Sequence, residues 1–214
     1  MFSSNHKLSS FLLSLYSLPI LFLFAIAFAS LKLDIPITTF TRDPAVIGNI
    51  NPLAGIASHL GVLVLTASGA ICIFSWATLQ PIRSTRTFSL FLLGLGIFSL
   101  LLGLDDLFML HESIYPRLFR VSENVILLIY GLLAIGGIVK YWKTILQTDY
   151  FIFGVALIFF ALSLIVDAFP ELIEAMIGQW RILFEDGFKL LGIIGWFGYS
   201  WRCSIQALKK IQTL

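Results

Sequence analysis

The chain has 214 residues, of which 58% are hydrophobic and 12% are charged, and its formal net charge is +2. A soluble domain carries about 25% charged residues, so this composition excludes an ordinary soluble protein, and the small net charge gives no indication of nucleic-acid binding. The mean hydropathy of +0.95 agrees with this conclusion. We therefore predict an all-α, polytopic membrane helix bundle that forms a single transmembrane domain over residues 1–214, with the lipid bilayer as its first partner.

Six apolar runs are long enough to cross a bilayer, because a helical span needs about 20 mostly apolar residues. Pro81 follows the second run and Pro116 follows the third, as expected near helix ends. The first run has a second interpretation, because Ala27-Phe28-Ala29 resembles a signal-peptide cleavage site. The predicted spans are residues 11–31, 53–79, 88–110, 122–140, 150–168 and 183–203.

The distribution of Lys and Arg predicts that both termini are cytoplasmic, since cytoplasmic loops carry an excess of these residues. In the six-span topology, five basic residues fall on the outer side and eight on the side of the termini. The acids are distributed less evenly, because Asp149 is the only one of twelve on the cytoplasmic side. We expect a cytoplasmic membrane of the bacterial type. The eight basic residues are Lys7, Arg83, Arg86, Lys140, Lys143, Arg202, Lys209 and Lys210.

Ionisable residues from four predicted spans fall at a similar depth, within one or two helical turns of the outer interface. Four of them lie in the segment LGLDDLFMLHESIYPR, residues 102–117. Each intramembrane charge costs about 2.5–3.5 kcal/mol on insertion scales, so a layer of them indicates a function. The layer comprises His59, Asp105, Asp106, His111, Glu112, Asp167, Glu185 and Asp186.

The composition of this polar layer predicts a divalent metal site. The acids near the outer interface outnumber the nearby bases, and a bound cation would hold the surplus carboxylates ionised. Carboxylates combined with imidazoles favour Zn, Mn or Fe over Mg or Ca. The predicted metal ligands are His59, Asp105, His111 and Glu185, and the predicted catalytic residues are Asp106, Glu112 and Asp186.

A metal ion with an open coordination position would activate water, and a spare carboxylate would act as the general base. The sequence therefore predicts a metal-dependent hydrolase that acts on a lipid or another membrane-embedded substrate. A second interpretation is a proton or cation transporter. A third is a non-catalytic assembly subunit in which each charge has a structural partner. Glu185 and Lys189 would be such a pair, because they are four residues apart in the favourable order.

Overall fold

The computed structural model describes the backbone of residues 2–212 and the side chains of residues 15–82 and 84–209. This part of the chain is 86% helical and contains no β-strand, which confirms the all-α prediction. The α-helices of the described residues are α1 (Phe2–Leu33), α2 (Thr38–Thr41), α3 (Pro44–Gly48), α4 (Ile56–Leu79), α5 (Arg86–Phe108), α6 (Tyr115–Phe119), α7 (Glu123–Ile145), α8 (Tyr150–Ala168), α9 (Pro170–Ile177) and α10 (Trp180–Gln212).

The chain divides into two compact units, and the boundary lies between Ala54 and Gly55. The first unit contains α1, α2 and α3. In this unit α1 continues through Pro19 without a break, and it covers the predicted first span. The second unit contains α4 to α10 and all seven predicted site residues.

Among the described residues, five helical segments are long and apolar enough to cross a membrane. They are residues 15–33 of α1 and the whole of α4, α5, α7 and α8. These segments support the assignment as a membrane protein and correspond to the first five predicted spans. The sixth predicted span lies within α10, which is not one of these five segments.

In the second unit, α4 packs against α5 and α10, and α10 also packs against α8. Helices in a bilayer associate through close packing and hydrogen bonds, because the lipid is as apolar as their side chains. One such hydrogen bond is donated by Trp196 Nε1 to Ser99 Oγ over 2.8 Å. Another joins the hydroxyl groups of Thr148 and Tyr199, also over 2.8 Å. These buried contacts fix the helices whose ends carry the polar layer.

The contact between α4 and α5 depends on glycine at position 96. The Cβ that alanine would add there lies 3.0 Å from the Gly69 carbonyl oxygen and 3.1 Å from Cys72 Cβ. We expect Gly96→Ala to lower the free energy of unfolding by about 1–3 kcal/mol, because the two backbones must move apart. Unfolding of the purified protein in detergent measures this change. Gly94→Ala is the matched control, since a Cβ on Gly94 meets nothing within 4 Å, and an equal loss in both variants would contradict the explanation.

Candidate functional site

A tight reversal of the backbone follows α5. Met109 has φ 49° and ψ 48°, in the left-handed region that non-glycine residues seldom adopt. Leu110–Ile114 then form a single π-helical turn. Strained backbone and π-turns are both common at functional sites. The reversal brings His111 back to Asp105, six residues earlier in the chain.

Asp105 is buried, and its carboxylate accepts hydrogen bonds from two elements. Oδ1 accepts from the His111 backbone N–H over 3.0 Å and from the Tyr130 hydroxyl of α7 over 2.7 Å. Oδ2 contacts His111 Nδ1. The hydrogen bond with Asp105 is the main reason why the pKa of His111 is raised above its ordinary value. This arrangement stabilises an imidazolium beside a buried carboxylate.

The second imidazole nitrogen of His111 faces two further carboxylates. Nε2 lies 3.6 Å from Glu112 Oε1 and 3.7 Å from Glu123 Oε1. Both glutamate side chains are about half exposed, at 49% and 46%. Their negative charges also raise the pKa of His111, less strongly than Asp105 does. His111 therefore links a buried carboxylate to two carboxylates that solvent can reach.

Asp106 belongs to a separate cluster, because adjacent residues of a helix point about 100° apart. Lys189 Nζ of α10 donates a hydrogen bond to Asp106 Oδ1. Ser58 Oγ of α4 donates to Oδ2 over 3.1 Å. The Asp106 side chain is only 9% exposed, whereas Lys189 is 37% exposed. Three helices thus meet at this ion pair.

A cavity of about 230 Å³ lies between α4, α5 and α10 and contains this ion pair. We call it the outer cavity. Its charged lining consists of Asp106, Glu112, Asp186 and Lys189. With all acids ionised, three carboxylates face one ammonium group, so the lining carries a net negative charge. Glu112 connects the two clusters, because it lines the cavity and also lies beside His111.

The structure does not bring the predicted metal ligands together as one set. Asp105 and His111 contact each other, but Glu185 Oε2 accepts a hydrogen bond from Arg181 Nη1 over 2.5 Å. His59 is exposed near the start of α4. Within the described residues, no group of three His, Cys, Asp or Glu side chains could hold a metal ion. The described residues therefore do not support a metal centre.

The predicted catalytic residues Asp106, Glu112 and Asp186 all line the outer cavity. The expected ion pair of Glu185 with Lys189 is not formed. Glu185 pairs with Arg181 instead, and Lys189 pairs with Asp106. Ser58, Glu123 and Tyr130 contact site residues although none was among the predicted residues. Tyr130 gave no signal in the sequence, since it is an ordinary aromatic residue within an apolar run.

A family model matches residues 18–203 of the chain, a range that contains every residue of both clusters. The chain belongs to the DUF8692 family, a domain of unknown function. Comparisons with curated proteins and with solved structures gave no match. Membership of DUF8692 assigns no activity, so the function must be argued from the geometry of this DUF8692 domain.

Proposed function

We propose that this membrane protein binds the polar group of an amphiphilic substrate in the outer cavity and performs acid–base catalysis on it. The position of Glu112 supports the proposal most strongly, because Glu112 lines the cavity while its Oε1 lies 3.6 Å from His111 Nε2. Asp105 contacts the other imidazole nitrogen. Asp105, His111 and Glu112 thus form a row of neighbouring acid–base groups that extends from the protein interior to the cavity.

The electrostatics of His111 suit this role. Asp105 raises the pKa of His111, so the imidazolium form is populated closer to neutral pH than in a free histidine. His111 Nε2 lies 3.6 Å from Glu112 Oε1, so the positive charge of the imidazolium is held beside the Glu112 carboxylate. Groups that gain and lose protons near the working pH are effective general acids and bases. Glu112 is therefore the proposed base, and His111 with Asp105 positions and supports it.

The charge and size of the outer cavity indicate the class of substrate. Lys189 is engaged by Asp106, which leaves Glu112 and Asp186 to give the lining its negative charge. Such a lining favours a cationic group or one rich in hydroxyl or amine donors. A volume of about 230 Å³ suits a small headgroup rather than an acyl chain. The distribution of Lys and Arg would place this headgroup at the outer leaflet of a bacterial-type cytoplasmic membrane.

Hydrolysis of a lipid or another membrane-embedded substrate is the reaction that we propose. Glu112 takes a proton from a water molecule in the cavity, and the water oxygen attacks the carbonyl carbon of an ester or amide bond in the substrate. The bond from that carbon to the leaving oxygen or nitrogen then breaks, and the protonated Glu112 returns the proton to the leaving atom. The ammonium group of Lys189 has three N–H donors, of which Asp106 uses one. The others are available to an oxyanion that forms in the cavity. This scheme uses only groups that line the cavity or support Glu112, and it assigns no role to a resident metal ion.

Proton transport would use the same row of groups, but it also needs a polar path to the other end of the helices. Midway along α5, Ser99 accepts the hydrogen bond from Trp196 and is completely buried. At the far end, Asp149 pairs with Arg202 through an Nε to Oδ2 distance of 2.6 Å. These contacts favour catalysis over transport.

Replacing Glu112 tests the proposal, and Glu123 provides the matched control. We expect Glu112→Gln to reduce turnover by at least about 100-fold, the usual contribution of a general base. Glu123→Gln should retain most activity, because Glu123 lies equally near His111 Nε2 but is not part of the cavity lining. The protein is reconstituted into vesicles of total bacterial lipid, and the products are identified by mass spectrometry. Equal product formation by wild type and Glu112→Gln would contradict the assignment.

A further inference from the structure

A second cavity, of about 520 Å³, lies at the opposite end of the same helices. It is found where α5 begins and where α7 and α10 approach their ends. The first residue of α5, Arg86, is separated from Asp105 by about 28 Å along the helix axis. The cavity is therefore on the side for which the sequence predicts a cytoplasmic location. We call it the basic groove, lined by Thr87, Lys143, Thr144, Gln147, Gln206 and Lys209 among others.

The described lining of the basic groove carries positive charge without a neutralising acid. Lys143 of α7 and Lys209 of α10 contribute two ammonium groups, and the lining residues that the structure describes include no carboxylate. Among the described residues, neither lysine forms an ion pair. The nearby acid Asp149 is engaged by Arg202 over 2.6 Å. The two charges are thus available to an anion.

Hydrogen-bond donors accompany this charge. Thr85, the residue before α5, also lines the groove, but its hydroxyl donates to the Ile82 carbonyl over 2.9 Å and makes no capping bond to the helix. The N-terminal end of α5 lies at the groove, and the partial positive charge of a helix N-terminus favours anions. Gln147 and Gln206 add side-chain amides. The groove combines ammonium, amide and hydroxyl side chains with the positive end of a helix dipole, and this combination suits phosphate oxygens.

We infer that the basic groove binds a phosphate group, carried either by an anionic lipid of the cytoplasmic leaflet or by a soluble phosphorylated molecule. The cytoplasmic leaflet is negatively charged and attracts basic residues at helix ends. The volume of about 520 Å³ is large enough for a phosphorylated headgroup. This site lies at the other end of the helices from the outer cavity, and the inference does not depend on the proposed catalysis.

Binding of phosphatidylglycerol to the full chain in detergent tests the inference, with phosphatidylcholine as the neutral reference. We expect the double variant Lys143→Gln/Lys209→Gln to bind phosphatidylglycerol about 25-fold more weakly, at roughly fivefold for each lysine. Lys140→Gln is the matched control, since it removes an equal charge from α7 outside the groove lining, where Lys140 Nζ lies 5.1 Å from the centre of the Tyr141 ring. Native mass spectrometry measures the bound lipid in each case.

Two further arms complete the test. Gln206→Glu keeps both lysines but adds a carboxylate to the groove, so it should also weaken binding while the melting temperature stays unchanged. Displacement of the lipid by inorganic phosphate supports a phosphate site open to soluble ligands, whereas binding of phosphatidylglycerol that phosphate does not displace supports a lipid site. The inference is overturned if the double lysine variant binds like wild type, or if Lys140→Gln loses as much affinity.

Discussion

Replacing Asp105 by Asn is expected to lower the free energy of unfolding by about 3–5 kcal/mol, the usual cost of removing one partner from a buried ion pair. Asp105 is 4% exposed, and Tyr130 and the His111 backbone both donate to its Oδ1. An amide keeps one acceptor oxygen, but its NH₂ group adds donors to a site already occupied by donors. Unfolding in detergent measures the loss. Glu171→Gln, which alters an exposed acid of α9, should change stability by less than about 0.5 kcal/mol.

The same substitution should alter how stability depends on pH. Because Asp105 raises the pKa of folded His111, their interaction contributes fully below about pH 6.5, the ordinary imidazole value. The contribution declines as the pH rises through the higher folded value. Asp105→Asn should weaken this dependence, and the His111 resonance in NMR should titrate at a lower pH, although Glu112 and Glu123 still raise the pKa of His111. The chain has three histidines, so His111→Gln assigns the signal. A wild-type His111 that titrates at or below the ordinary value would contradict the argument.

The helices could be predicted from the sequence wherever an apolar run ends at a strong break. The predicted span 150–168 coincides with α8, which is followed by Pro170. The predicted sixth span, residues 183–203, is shorter than the helix that contains it, because α10 begins at Trp180 and continues past Arg202 to Gln212. A helix continues as long as its backbone hydrogen bonds continue, whether or not its side chains are apolar. Charged residues at the end of a helix are readily solvated, so they do not end it. Hydropathy therefore locates a span better than it locates the ends of a helix.

Residue number alone places Asp105 and Asp106 near the end of α5 and Glu185 and Asp186 near the start of α10, but it does not give the partner of each group. In a continuous α-helix, residues six apart point in directions about 120° apart, so Asp105 and His111 would not meet. They meet because Met109 is left-handed and a π-turn follows. The left-handed position is occupied by Met109 and not by glycine, so the sequence gives no indication of the reversal. The contact that organises the site thus depends on a backbone feature that spacing alone does not reveal.

The rotation of α10 about its own axis determines the partners of Lys189 and Glu185. Lys189 could reach Glu185 along its own helix, but α10 is turned so that Lys189 meets Asp106 of α5 while Arg181 meets Glu185. His59, which the sequence predicts as a metal ligand, is exposed in the structure. Depth along a helix follows from residue number, whereas direction around its axis depends on packing against neighbours. For this reason the sequence alone does not determine which residues of several helices share one site.

Replacing Lys189 by Met is expected to lower the free energy of unfolding by about 2–3 kcal/mol. Its partner Asp106 is 9% exposed and would be left without its counterion. The expected loss is below the 3–5 kcal/mol typical of a fully buried pair, because Lys189 is 37% exposed and solvent already screens part of the attraction. Arg202→Met is the control, since the Arg202–Asp149 pair is more exposed and should contribute less to stability.

A double-mutant cycle separates the pairing from other effects of losing Lys189. The variant Asp106→Asn/Lys189→Met contains neither charge, so it should be more stable than Lys189→Met alone, with a coupling of about 0.5–3 kcal/mol. Ser58 can still donate to the remaining carbonyl oxygen at position 106. Additive losses would show that Lys189 does not stabilise Asp106. Because the double variant leaves Glu112 and Asp186 in place in the cavity, its turnover also shows whether the ammonium group serves the reaction as well as the fold.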